Sequence, residues 1–188
     1  MKRILWGLTL AFLIFVQISS VANAATVEEK KQSVRNAVEA TLEMLYTHQP
    51  QAKEAVESHA GYAVFNNIGT KIFVTGGGKG KGMAVNNRDK SETFMKMVEL
   101  QVGLGFGIKE FSVIFVFETE DALNTFVNQG WEFGGQATLA ATDSVSGGAL
   151  AGAVSVSDGV WMYQITKKGL AAEITAKGTR YYKDGDLK

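Results

Sequence analysis

Gly76-Gly77-Gly78-Lys79-Gly80-Lys81-Gly82 is the segment of this sequence best suited to hold an anion. Glycine backbone can approach a phosphate closely while neighbouring lysines neutralise it. The string is not a Walker loop, which needs Gly-Lys-Ser/Thr at the opening of a helix. Here Gly82 is followed by Met83-Ala84-Val85, a strand-like run. Two readings stay open: a flexible glycine hairpin with solvated lysines, or a site for an anion or lipid headgroup. In the second, Lys71, Lys79, Lys81 and Arg88, with Lys167 and Lys168, supply the charge, and Gly78 and Gly80 supply the close backbone.

Other chemistries lack their residues. His48 and His59 are the only histidines, with no His-Glu-x-x-His arrangement and no third ligand, so no metal site is expected. There is no Gly-x-Ser-x-Gly elbow. Glu118, Glu120 and Asp121 are accounted for by the start of a helix, where carboxylates favour the macrodipole. Gly103-Leu104-Gly105-Phe106-Gly107 lacks the helix that a dinucleotide pyrophosphate requires, and its glycines suit a closely packed or bent strand. No catalytic constellation and no cofactor are therefore expected.

The elements that must position these residues follow from periodicity. From Val27 to Gln49, Val34, Ala37, Val38, Thr41, Leu42, Leu45 and Tyr46 recur at intervals of three and four and predict an amphipathic helix. Pro50 suits the first turn of a second helix, Gln51 to His59, which Gly61 ends. The period then changes. Tyr62 to Phe65 and Ile72 to Val74 read as short strands about an Asn66-Asn67-Ile68-Gly69 turn. Phe94 to Ile108 alternates, with Phe94, Val98, Leu100, Val102, Leu104, Phe106 and Ile108 on the apolar face and Lys96 as the misfit. Phe111 to Phe117 is an almost continuous apolar run, which requires a second layer on the sheet. Thr119 caps a short helix near residues 120–129, ended by Gly130. Strands resume at Gly135 to Ala141, Ala149 to Ser157, Val160 to Thr166 and Leu170 to Tyr182, with turns at Asp158-Gly159 and Lys167-Lys168-Gly169. The fold class is α+β: an N-terminal helical hairpin packed on a curved, mainly antiparallel sheet or partial barrel.

Lys2 and Arg3, the apolar run Ile4 to Val16 and the small-x-small Ala22-Asn23-Ala24 read as an export signal cut after Ala24. The run is short for a bilayer core, which needs about 20 residues. The mature chain, 25–188, is expected to form one domain in the periplasm or secreted medium. The whole sequence carries 19 basic and 19 acidic residues, so bulk attraction to nucleic acid is not indicated. Zero cysteines exclude a disulfide framework, a thiol nucleophile and a lipoprotein signal. Trp131, Phe133 and Trp161 are either membrane-interface residues or core aromatics.

Gly61-Tyr62-Ala63-Val64-Phe65, the Gly76 to Gly82 string, Gln101 to Gly107, Gly134-Gly135-Gln136-Ala137 and Lys167-Lys168-Gly169-Leu170-Ala171-Ala172-Glu173 occur in an order that resembles the SYLF-domain family. The resemblance covers about residues 30–183. It implies a non-enzymatic lipid-binding module, with anionic phospholipid at an envelope membrane as the expected partner. Some eukaryotic members also bind actin, which an exported protein meets only if delivered to a host. The basic amphipathic N-terminus of eukaryotic members is replaced here by the leader and Thr26-Val27-Glu28-Glu29, and Asn66 stands where bacterial members often carry proline. The alternative is an envelope structural or protein-interaction module, using sheet edges or the glycine-rich face.

Overall fold

In a computed structural model, the described residues are 25–72, 75–102, 107–133, 148–166, 169–170 and 178–188. The first helix, α1, spans Val27–His48 and opens with a capping box. The Thr26 hydroxyl accepts from the Glu29 amide at 3.2 Å, and the Glu29 carboxylate accepts from the Thr26 amide at 2.7 Å. Val34, Val38, Thr41 and Leu45 form its buried stripe. The second helix, α2, spans Ala52–Ser58 and buries Ala52, Ala55 and Val56. Both lie against the same face of the sheet, as the expected hairpin requires.

The strands are β1 (Gly61–Ile72), β2 (Thr75–Asn86), β3 (Glu92–Val102), β4 (Gly107–Phe117), β5 (Trp131–Phe133), β6 (Val154–Ser157), β7 (Val160–Thr166), β8 (Gly169–Leu170) and β9 (Thr179–Lys183). Between β4 and β5 lies α3, Glu120–Gln129, capped by the Thr119 hydroxyl and ended by Gly130 at φ 72°. A 3-10 turn, Gly185–Leu187, closes the chain. The strand order is β5-β9-β3-β2-β1-β4-β7-β6, with β8 also pairing β7, and every described pairing is antiparallel. The sheet curls into a half-barrel, giving the expected α+β class.

Its two faces carry separate cores. The helical face packs Val64, Met83, Val85, Phe94, Ile114, Val116, Tyr163 and Ile165 beneath α1 and α2. The inner face holds Phe65, Met95, Met97, Phe115, Phe117 and Tyr181 against Leu123 and Phe126 of α3. Phe65 and Tyr181 meet edge to face at 4.7 Å between centroids, and Phe115 and Tyr181 at 5.1 Å. Phe111 to Phe117 is apolar at every position but Ser112 because alternate residues feed both cores.

Several expectations change. The Asn66–Gly69 turn does not exist: β1 runs unbroken from Gly61 to Ile72. Asn66 lies inside the strand, where its side-chain oxygen accepts from Thr41 Oγ1 at 2.8 Å and Ser112 Oγ at 2.5 Å, and its amide donates to the Ala37 carbonyl at 3.2 Å. The turn-forming side chain is engaged by tertiary partners, so the backbone stays in the ladder. The second change is in β3, which turns Met95, Met97 and Glu99 inward, while Leu100, on the face read as apolar, is 67% exposed. Lys96 ceases to be a misfit, because its face is the outer one beyond Phe94. Third, the Gly76–Gly82 string is strand rather than hairpin loop. The strand expected over Phe94 to Ile108 is two, since β3 ends at Val102 and Gly107 and Ile108 belong to β4; the one expected from Ala149 begins only at Val154, after a turn; and the one expected over Leu170 to Tyr182 is divided between β8, which pairs β7, and β9, which pairs β3. The expected strand Gly135 to Ala141 lies outside the described residues.

Candidate functional site

β2 separates its glycines from its lysines. Successive side chains of a strand point to opposite faces, so Gly78, Gly80 and Gly82 face the half-barrel interior and Lys79 and Lys81 face outward beside α1. The glycines are buried and the lysines exposed. A Cβ on Gly80 would stand 2.5 Å from Met97 Cγ, and one on Gly78 would stand 2.6 Å from Asn67 Oδ1. A Cβ on Gly82 would strike the Val64 carbonyl and the Phe65 ring. The glycine backbone is thus filled from inside by Asn67, Glu99, Met97 and Phe65, and the outer face is left to lysine.

Along that outer face, Val85 and Met83 are buried under the helices, and the character changes to basic at Lys81 and Lys79. There a groove of about 550 Å³ opens between α1 and strands β2, β3 and β9. Ser33, Val34 and Ala37 form its helical wall, Val98 contributes apolar surface, and Lys79, Lys81, Lys96 and Tyr182 complete it. Among the described residues, Lys79 and Lys81 have no ion-pair partner.

Lys96 differs from them. Its ammonium bonds Asp184 Oδ1 at 2.7 Å and Asp186 Oδ2 at 2.5 Å. These two carboxylates raise the Lys96 pKa, and the Lys96 ammonium holds the Asp186 carboxyl below its ordinary value. Asp184 is buried, its amide donates to the Phe94 carbonyl at 2.9 Å, and its carboxylate caps the terminal 3-10 turn.

The remaining expected site residues are dispersed. Arg88 sits on the β2–β3 turn, highly exposed, and donates to Glu120 at 3.2 Å, well along the strand from Lys79 and Lys81. Lys71 is paired with Gly76 near the far end of β1. Lys167 and Lys168 lie outside the described residues. Sequence reasoning missed Asp184 and Asp186, and it met Lys96 only as an interruption in an apolar alternation. That interruption was the available signal.

Other groups have structural partners. The His59 ring lies 2.8 Å from the Ala55 carbonyl. Trp131 packs on Phe115 and Phe126, and Trp161 Nε1 donates to Glu118 at 2.8 Å, so both tryptophans are engaged within the fold. No group of three or more potential metal-ligating side chains occurs among the described residues. No helix among them is long and apolar enough to cross a membrane.

An α-helical hairpin laid over a half-barrel thus leaves a groove lined by lysines between α1 and the sheet. Over residues 98–188, just under half of its length, the chain matches the family model described as Ysc84, Las17-binding protein actin regulator. It is also 30% identical over 177 residues to beta cell expansion factor A of Aeromonas veronii. That alignment covers 91% of this chain and 64% of the relative, so the chain spans just under two thirds of the relative's length. Neither name denotes an enzyme.

Proposed function

We propose that this protein is an exported, non-enzymatic module that binds anionic phospholipid headgroups at an envelope membrane. The observation that carries the reading is the pair Lys79 and Lys81. They stand two residues apart on one face of β2, exposed and free of ion pairs among the described residues, at the rim of a groove with apolar surface. Such a rim suits a ligand with a negative head and an apolar body. Each lysine adds about 1 kcal/mol at an anionic surface, so the rim acts as a set. The leader of residues 1–24 supports delivery to the periplasm or medium, with the cut after Ala24. Actin becomes a partner only for a chain delivered to a host.

Cosedimentation of chain 25–188 with neutral and anionic vesicles across a salt series tests the reading. Binding is expected only to anionic vesicles, weakening as salt rises. Lys79→Glu with Lys81→Glu is expected to weaken it by about 30-fold or more, since about 2 kcal/mol is lost before any repulsion is counted. A folded double variant that binds like the parent removes this face as the site. Absence of binding to either vesicle type turns the reading toward a protein partner in the envelope.

A further inference from the structure

Lys81 and Lys96 are directly opposite each other in the β2–β3 register. Like charges at such a position are unfavourable, with Cβ atoms of facing residues only about 4.5–5.5 Å apart, unless an anion lies with them. Here the anion is the chain's own. Asp186 reaches back from the terminal 3-10 turn to Lys96, ninety positions away in sequence, at 2.5 Å.

The two acids on Lys96 are unequal. The Asp184 side chain is 2% exposed and held by the Asp186 amide at 2.9 Å as well as by Lys96. Asp186 is 82% exposed, and its carboxylate bonds that same ammonium. Leu187, buried beneath α1, anchors the turn, so Asp186 can leave Lys96 while the tail stays in place. Asp184 therefore orients the ammonium, and Asp186 fills a position that solvent can reach. The ammonium has three donors and these contacts use two.

We propose that Lys81 and Lys96 form an oxyanion seat, filled in the free protein by the Asp186 carboxylate, and that the phosphate or carboxylate head of an anionic amphiphile displaces Asp186 when its apolar part enters the groove. This extends the lipid reading above, and rests on it for the source of the anion. The seat shares its groove with Lys79, and the charges of Lys96, Lys30 and Lys81 all favour the ionised form of Asp186. Displacement of an exposed carboxylate costs little, because exposed pairs are weakly held.

The test compares Asp186→Asn, Lys96→Gln, the double variant and Glu54→Gln for binding to vesicles of phosphatidylcholine and phosphatidylglycerol. Glu54 is an exposed acid on α2 and controls for net charge. Asp186→Asn is expected to tighten binding about two- to five-fold, the equivalent of one exposed ion pair. Lys96→Gln should weaken binding, remove most of that gain in the double variant, and leave Glu54→Gln near the parent. Binding that Asp186→Asn leaves unchanged overturns the proposal, as does an equal gain from Glu54→Gln or in the Lys96→Gln background. A parallel titration with methyl phosphate, followed through the backbone amide signals of Lys96 and Asp186, reads the seat without a membrane. Shifts that are larger in Asp186→Asn, in a protein that binds no vesicle, keep the seat and remove the lipid reading. No shifts and no vesicle binding overturn both.

Discussion

Gly78 and Glu99 face each other across the β2–β3 ladder, and the hydrogen that glycine carries in place of a side chain leaves room for the Glu99 carboxylate. That carboxylate accepts from the Asn67 side-chain amide at 2.7 Å, and both side chains are almost fully buried. A methyl group at Gly78 would stand 2.6 Å from Asn67 Oδ1 and 2.9 Å from Glu99 Oε2. Neither is free to move away, because each is bonded to the other inside the half-barrel.

Gly78→Ala is therefore expected to destabilise the fold by about 2–3 kcal/mol, from overpacking together with loss of a buried hydrogen bond. Gly77→Ala is the matched control. Gly77 faces outward, and a Cβ there would meet only the Glu99 carbonyl at 3.5 Å, an ordinary contact. It should stay within about 0.5 kcal/mol of the parent. Urea unfolding of the two variants measures the difference, and equal midpoints would mean that the interior of β2 is not packed as described.

The two acids of the tail make a second paired prediction. Asp184→Ala removes a buried acceptor from both Lys96 and the Asp186 amide, and is expected to cost about 1.5–3 kcal/mol. Asp186→Asn changes a solvent-facing group and should leave the unfolding midpoint where it is. A urea midpoint that falls equally for both would show that Asp186 is a structural strut, and would remove the basis for its displacement by a ligand.

Much of this architecture was legible in the sequence, and the failures share a cause. The helix face Val34, Val38, Thr41, Leu45 followed from spacing alone, as did the α3 segment between Thr119 and Gly130, because a helix buries one stripe and ends on local signals. A strand at Phe94 was expected, but it ends at Val102 instead of Ile108, and the face read as polar is the one buried in the half-barrel. Phe94 is buried beneath α1 and Met95 is buried inside the half-barrel, so alternation cannot tell the two faces apart. Asn66-Asn67 and the glycine string carry turn chemistry by type, yet their side chains or their absence serve the strand's tertiary neighbours: Thr41, Ser112 and Glu99 for the asparagines, Met97 and Phe65 for the glycines. The site was half legible for the same reason. Lys79 and Lys81 could be chosen from local composition, whereas the link from Lys96 to Asp184 and Asp186 exists only once β9 pairs β3.

Alkali supplies the last prediction. Burial pushes the phenols of Tyr46 and Tyr163 up to about 12, and raises that of the fully buried Tyr181 further, from an ordinary value of 10.0. A phenol whose pKa is higher in the folded chain keeps its proton where the unfolded chain has lost it. The associated stability is complete below about pH 10 and is lost as pH rises through about 12. For Tyr163 the effect has a visible contact, since its hydroxyl donates to the Ala149 carbonyl at 3.0 Å, a bond that a phenolate cannot make. In a stepwise titration, phenolate absorbance should therefore rise in two stages, the later one coinciding with loss of far-ultraviolet circular dichroism. Tyr163→Phe should take one phenolate out of the later stage. Smooth ionisation of all the tyrosines near pH 10, with the circular dichroism unchanged, would contradict the burial of Tyr163 and Tyr181 on the two faces of the sheet.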